Sequence, residues 1–355
     1  MTTRVLFILK RREDYCQDPS YSEHGISTGL LNSATFVCDM LVDAGIEAKV
    51  VVVVDNNCID REVTAYKPTH VIIEALWVVP EKFEVLSKLH PKVQWIVRFH
   101  SEAPFIAMEG IAMRWFFGYL KYPTVKFGVN APRFMRELED VMSAAGYSED
   151  EIEDRIRYMP NYYPVDRCHA PRKHDHGEYV DVSCFGAIRP LKNHLVQAIA
   201  ALKFAEEIGK KLRFHINIGR IEGKGDPILH NLQGLFAGLA DEGHELVCHQ
   251  WTPHDKFIEI IKDMDLGMQV SFSETFNIVA ADMIMCGVPM VMSREVPWAK
   301  AGICDPTGSE DIAKAMLWAW RFKRWNVFMN ELSLKAYVEK SKHIWVKMFG
   351  RHHFC

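Results

Sequence analysis

The chain has 355 residues, of which 48% are hydrophobic and 25% charged, and its formal net charge is −4. This composition excludes a disordered chain, and the length suits two domains or one large one, with apolar material enough for two cores. No overall basic excess advertises a nucleic-acid-binding protein, which leaves only a local basic face open. The nine cysteines are scattered with no C-x-x-C pair, which speaks against a zinc site or redox motif and suits reduced thiols in a cytoplasmic protein. The N-terminus runs straight into a strand pattern without a signal peptide, and no stretch reaches the ~18 apolar residues of a membrane span. Peripheral membrane association stays open.

In chain order, residues 5–9 form the first expected strand, followed by a polar loop over 10–28 that carries Gly25 and Gly29. A helix is expected over 30–44, with Leu30, Ala34, Val37, Cys38 and Leu41 on one face and Gly45 ending it. Further strands fall at 48–54, 69–75, 94–99 and 125–129. Their apolar runs are continuous rather than alternating, as in a parallel sheet covered on both faces, and the β-α-β-α order is the doubly wound pattern. A helix-rich acidic stretch, 132–157, precedes the Pro/Asn turn segment 159–166, the expected domain junction, and a polar linker over 167–178.

The second half restarts the same grammar, with strands at 180–185, 213–218, 245–249, 266–270 and 288–292. Helices are expected at 193–208, 228–239, 254–264, 278–286 and 309–321, before an aromatic-rich tail from 325 onward. The reading is an α/β chain with domains at 1–166 and 167–325, and a helical tail, 326–355, packing back on the first.

Several turns carry residues suited to chemistry. Gly186-Ala-Ile-Arg189-Pro-Leu-Lys192 follows the first strand of the second half and opens its first helix. Either a phosphate docks there on helix N–H groups and the two cations, or the loop is polar and its cations face solvent. In Ser271-Phe-Ser-Glu274-Thr275-Phe276-Asn277, small polar side chains crowd one turn, as expected where backbone approaches a ligand; alternatively Glu274 is a helix cap. Asp282, eight residues on, falls on nearly the same helical face as Glu274. The two carboxylates suit hydroxyls of a sugar and a ribose.

His100 ends a central strand and is either a hydrogen-bonding group for a sugar or acceptor or an ordinary packed histidine. Gly219-Arg220 and Trp251 end two more strands; Trp251 either stacks on a nucleobase or packs internally. Gly25 and Gly29 let backbone approach a ligand, but their spacing is not G-x-G-x-x-G, which disfavours a dinucleotide enzyme. Asp263-Met-Asp265 has D-x-D spacing yet reads as a helix end and strand entry rather than a metal site. Lys10, Arg11 and Arg12 form a short basic run that either meets phosphates or is solvated.

Together these fragments resemble the retaining GT-B glycosyltransferases of family four. The resemblance rests on Gly186 with Arg189 and Lys192, and on the acidic pair Glu274 and Asp282 between Ser271 and Gly287-Val288-Pro289. Thr275, Phe276, the junction residues Pro160, Asn161, Val165 and Asp166, and the segment 305–313 add to it. It runs through most of the second half and thins in the first.

The resemblance implies two Rossmann-like doubly wound domains facing a central cleft and a nucleotide-sugar donor, UDP-sugar favoured, on the second. It implies a metal-independent reaction with no cofactor. Arg189 and Lys192 would neutralise the leaving diphosphate, aided by N–H groups of Thr275, Phe276 and Asn277. Glu274 would hold sugar hydroxyls, Asp282 the ribose, and His100 the sugar or acceptor. Gly29, Gly186, Gly219, Arg220 and Trp251 would complete the donor site. Asp282 departs from the family's Glu by one methylene, which puts the nucleotide's pose in question. The chain is also similar to phage-encoded members of the group, some of which decorate hydroxymethylated DNA bases. DNA (through a flipped base), glycan and lipid acceptors all stay open. The competing readings are a nucleotide-sugar epimerase or hydrolase, and a non-catalytic GT-B module that binds a nucleotide-sugar.

Overall fold

The computed structural model describes residues 2–10, 28–166 and 177–350. The chain forms two compact units, Met1–Tyr163 with Val338–Cys355, and Pro164–Tyr337.

Unit 1 runs β1 (Arg4–Lys10), α1 (Thr28–Asp43), β2 (Glu47–Val53), α2 (Ile59–Tyr66), β3 (His70–Glu74), α3 (Lys82–Leu89) and β4 (Gln94–Phe99). It continues α4 (Ala103–Ile106), α5 (Ala112–Leu120), β5 (Val125–Val129), α6 (Pro132–Ala144), α7 (Glu149–Arg155) and β6 (Ile156–Tyr158). The six strands form one sheet, ordered β2-β1-β3-β4-β5-β6, with every pairing parallel. The continuous apolar strands follow from this arrangement. Leu6, Ile8, Val71 and Ile73 enter a core with Phe83, Trp95, Phe116 and Phe127. Val5, Phe7, Leu9 and Ile72 point to the other face, into a core with Val37, Leu41, Trp345 and Phe349. Successive residues leave a strand on opposite sides, so helices on both faces demand apolar residues at every position.

Strand β6 overlaps the end of the stretch, 132–157, that the sequence reads as helix-rich. Ser148 starts α7 with a capping box, its hydroxyl accepting from the Glu151 N–H while Glu151 accepts from the Ser148 N–H. The helix ends at Arg155, and Ile156 then pairs with Phe127 on β5. Three residues are too few to show a two-residue period.

Unit 2 runs β7 (Tyr179–Ser183), α8 (His194–Glu207), β8 (Lys211–Asn217), α9 (Asp226–Ala237), β9 (Glu245–His249), α10 (His254–Ile261) and β10 (Leu266–Gln269). It continues α11 (Ile278–Met285), β11 (Met290–Ser293), β12 (Ile303–Cys304) and α12 (Ser309–Arg321). Its sheet is again parallel, ordered β12-β11-β10-β7-β8-β9. The order builds outward from β7 in one direction and then restarts at β10 on its other side.

The last helix, α13 (Lys323–Phe349), begins in unit 2 and ends in unit 1. There Trp345 is fully buried against Phe7 and Phe349 and donates its indole N–H to the Pro160 carbonyl at 2.8 Å. The segment around Pro160 is gripped from below as well. The Arg98 guanidinium donates to the carbonyls of Met159 and Pro160 and to Asn161 Oδ1, at 3.2, 3.1 and 2.9 Å.

Candidate functional site

The site in unit 2 follows from its strand order. Chain direction across the sheet reverses between β7 and β10, so the loops leaving the carboxyl ends of these neighbours diverge and leave a crevice at the switch point. These are the loops around 184–193 and 270–277, the two turns singled out in the sequence.

Buried amides tie the loops together. Gln269 donates to the Phe185 carbonyl at 2.7 Å, and Asn193 to the Val270 carbonyl at 3.1 Å. Gln197 accepts from the Val270 N–H at 2.9 Å and donates to the Lys192 carbonyl at 2.7 Å. The Phe272 N–H reaches the Leu191 carbonyl at 2.9 Å. Backbone shape is special at three points. Gly186 has φ +120°, a conformation in which a Cβ is strained, and its N–H is held by Asn217 Oδ1 at 2.9 Å. Asn193 and Asn277 have φ of 58° and 68°, a left-handed conformation in which asparagine is enriched. Asn277 caps α11, accepting from the Ala280 N–H at 2.9 Å, and anchors itself on Gln269 at 2.8 Å.

The crossing loops bring Lys192 and Glu274 together, with Nζ 2.5 Å from Oε1 and side chains only 12% and 7% exposed. Gln269 Oε1 accepts from the same ammonium at 3.4 Å. Burial by itself raises the Glu274 pKa, but Lys192 and then Arg189 outweigh it and hold the carboxyl below its ordinary value. His194, the first residue of α8, is fully buried with no hydrogen-bond partner at either ring nitrogen. Burial, with Lys192 and Arg189 beside it, pushes its pKa down to about 3. The loop therefore gathers positive potential around one buried carboxylate and a neutral imidazole.

Glu222 links the remaining cations, 3.5 Å from Arg189 and 2.5 Å from Arg220. The Arg220 guanidinium lies over the Trp251 ring, 5.6 Å from its centroid. Gly219 is required beside them, because a Cβ would come within 2.9 Å of the Trp251 backbone nitrogen.

Other expected residues fall differently. Glu274 and Asp282 do not share a helix face, because α11 begins at Ile278 and Glu274 sits four residues earlier in the turn. Asp282 is 1% exposed, and its carboxylate is paired with His254 Nε2 at 2.9 Å. Thr275 lies in the turn, but the Phe276 ring is buried against Trp298 and Tyr337, and the Phe276 carbonyl accepts from the Trp298 indole at 2.8 Å. The Phe276 ring is therefore not available to a ligand. Gly29 stands exposed in the first turn of α1, where a Cβ would meet nothing within 4 Å, so the local structure makes no demand for glycine. Gly25, Arg11 and Arg12 lie outside the described residues, while Lys10 is exposed at the end of β1. Asp263 and Asp265 follow α10, and Asp265 accepts from the Asp181 N–H at 3.0 Å. Among the described residues no three metal-ligating side chains come together.

His100, in unit 1, follows β4 directly and is hydrogen-bonded to Glu74, at the end of the neighbouring strand β3. Arg98 Nη1 approaches the same carboxylate at 3.2 Å, and both Glu74 and Arg98 are wholly buried. Burial lowers the His100 pKa; Glu74 opposes this and Arg98 reinforces it, leaving the imidazole below its ordinary value.

No family model matches the sequence, and no curated protein matches it. Solved structures do match. The N-terminal domain of Candida albicans trehalose-6-phosphate phosphatase superposes with a TM-score of 0.71 at 10% identity, covering 100% of this chain and 98% of that one. Sucrose-phosphate synthase from Thermosynechococcus elongatus gives 0.64 at 12% identity, with 97% of each chain covered. HepE from Anabaena, in complex with UDP, gives 0.60 at 11% identity over 98% of each chain. At such identities the likeness is one of fold: two Rossmann-like α/β units, the GT-B fold.

Proposed function

We propose that the protein is a glycosyltransferase that moves a sugar from a nucleotide-sugar, UDP-sugar in particular, to an acceptor hydroxyl. The observation that carries this reading is the buried Lys192–Glu274 pair, 2.5 Å apart at the switch point of the unit 2 sheet. The GT-B likeness, which includes a structure holding UDP, supports it.

The donor's diphosphate takes the place of solvent beside Arg189 and Lys192, at the N-terminal ends of α8 and α11, where the positive ends of the helix dipoles favour an anion. Glu274, kept ionised by its neighbours, accepts hydrogen bonds from sugar hydroxyls. Trp251 and Arg220 flank the nucleoside. Asp282, too buried to grip the ribose alone, acts through His254. As the C1–phosphate bond breaks, charge grows on the leaving oxygen, and the two cations stabilise it. The acceptor oxygen bonds C1 from the same face and its proton passes to the departing phosphate, so configuration is retained without a metal. The acceptor half is assigned to unit 1, where His100, oriented by Glu74, hydrogen-bonds a hydroxyl.

The test is incubation of the pure protein with a panel of nucleotide-sugars and with hydroxymethylated DNA, small glycans and lipids as acceptors, followed by product identification by mass. A product heavier than its acceptor by one sugar is expected. Free sugar formed without acceptor would instead identify a hydrolase, and an altered sugar still on its nucleotide an epimerase. Donor binding with no turnover under any condition would identify a binding module.

A further inference from the structure

One feature of unit 2 is unused by the donor site. Trp318, Phe322, Trp325, Phe328 and Leu332 are between 36% and 56% exposed; Trp318 and Phe322 close α12, and Trp325, Phe328 and Leu332 recur at helical spacing on α13. Trp318 touches Phe322, with centroids 5.6 Å apart, and Trp325 touches Phe328 at 5.9 Å.

The direction of this face is imposed by the helix's other side. Asn326 is fully buried and clasps the backbone of Met290 from both directions, at 2.8 and 2.9 Å. Asn330 does the same to Ala301, at 3.0 Å each way. Turning α13 to hide the aromatics would strand these amides, at a cost that one loose helix does not recover.

Cations border the aromatics. Arg321 lies 5.8 Å from the Phe322 ring centroid, and neither Arg321 nor Arg324 has an acidic partner among the described residues. From 318 to 350 the chain carries seven Lys or Arg against two Glu, within a protein whose net charge is −4. Glu331, the acid nearest the stripe in sequence, is already paired with Lys335 at 2.5 Å.

We propose that this stripe is a docking face for an anionic lipid surface, on which α12 and the start of α13 rest. Tryptophan and phenylalanine seat at the headgroup boundary, while the arginine stems lie along the apolar surface and keep their charges among the phosphates. No described helix is long and apolar enough to cross a membrane, so the mode is one of lying on it. A second copy of the chain is the poorer occupant, because a two-fold contact would set one basic-rimmed face against another. The proposal stands whether or not the donor reading is right.

The test is co-sedimentation of the full chain with phosphatidylcholine vesicles that contain or lack phosphatidylglycerol. Binding to the anionic vesicles alone is expected, weakening as salt is raised. Arg321→Gln with Arg324→Gln should lower the affinity by roughly tenfold to thirtyfold, at about fivefold per basic residue. Trp325→Ser with Phe328→Ser should lower it by at least as much, with an unchanged melting temperature, since both side chains are exposed. Phe117→Ser, an exposed aromatic of unit 1, should change nothing. Absence of binding to anionic vesicles overturns the proposal. So does binding that survives both double variants, or a self-association of the wild type that Trp325→Ser with Phe328→Ser abolishes.

Discussion

Removing one member of the Lys192–Glu274 pair should cost far more than the pair contributes. In Lys192→Met, a carboxylate that is 7% exposed loses its 2.5 Å partner and keeps only the lesser help of Arg189 and the Ser271 hydroxyl. Breaking a buried pair in this way costs about 3–5 kcal/mol. Glu274→Gln leaves the ammonium facing amide oxygens, at a cost of about 3 kcal/mol by the same reasoning. The double variant removes both charges and should be less destabilised than the sum of the single variants by about 2 kcal/mol. Urea unfolding measures all three.

The pH dependence adds a signed check. In the wild type the Glu274 pKa lies below its unfolded value, so its contribution is present above that value and lost as pH falls. In Lys192→Met, burial is no longer outweighed and the pKa rises above the unfolded value. The variant then gains relative to wild type as pH falls, and the gap between them narrows from neutral toward acidic pH. Losses that add to within ~0.5 kcal/mol, or a gap that widens in acid, would refute a direct buried ion pair.

Gly186→Ala forces a Cβ onto a backbone with φ +120° and should cost about 1–3 kcal/mol in urea unfolding, whereas Gly29→Ala should be near neutral. His194, held neutral to about pH 3, binds no proton when folded but titrates normally when unfolded, so stability falls with pH below the unfolded value of 6.5. Between neutral pH and pH 5 the wild type should therefore lose about 2 kcal/mol more than His194→Phe, from about 1.4 kcal/mol per pH unit. Trp345→Ala removes a fully buried side chain and its bond to Pro160, and should cost about 3–5 kcal/mol by thermal or chemical unfolding. Arg189→Ala should lower transferase turnover at least a hundredfold (about 2.7 kcal/mol) with little change in melting temperature, as steady-state kinetics will show.

The strands 94–99, 125–129 and 245–249 were legible to the residue, because each is an apolar run closed by turn residues. Both polar turns at the switch point of unit 2 are legible for a related reason: Gly186 and the Ser/Thr/Asn cluster at 271–277 are poor strand or helix interiors. Their partners were not. Glu222 gathers Arg189 and Arg220, and Gln269 gathers Lys192 and Asn277, through tertiary contacts that no local pattern encodes. The Glu74–Arg98 pair likewise depends on β3 lying beside β4. Gln269 did leave a trace, as a polar residue closing an apolar strand. The start of the helix at Ile278 is legible, but eight residues is about two turns, so Glu274 and Asp282 read as sharing a face. Glu274 lies in the turn before that helix, and the left-handed Asn277 between them breaks the helical spacing.

The central claim, that unit 2 holds the nucleotide of the donor, is tested most directly by hydrogen–deuterium exchange with and without UDP. Slowed exchange is expected in the loops at 186–193 and 271–277, and its loss in Arg189→Ala. Unchanged exchange in both loops at saturating UDP, or protection confined to unit 1, would contradict it.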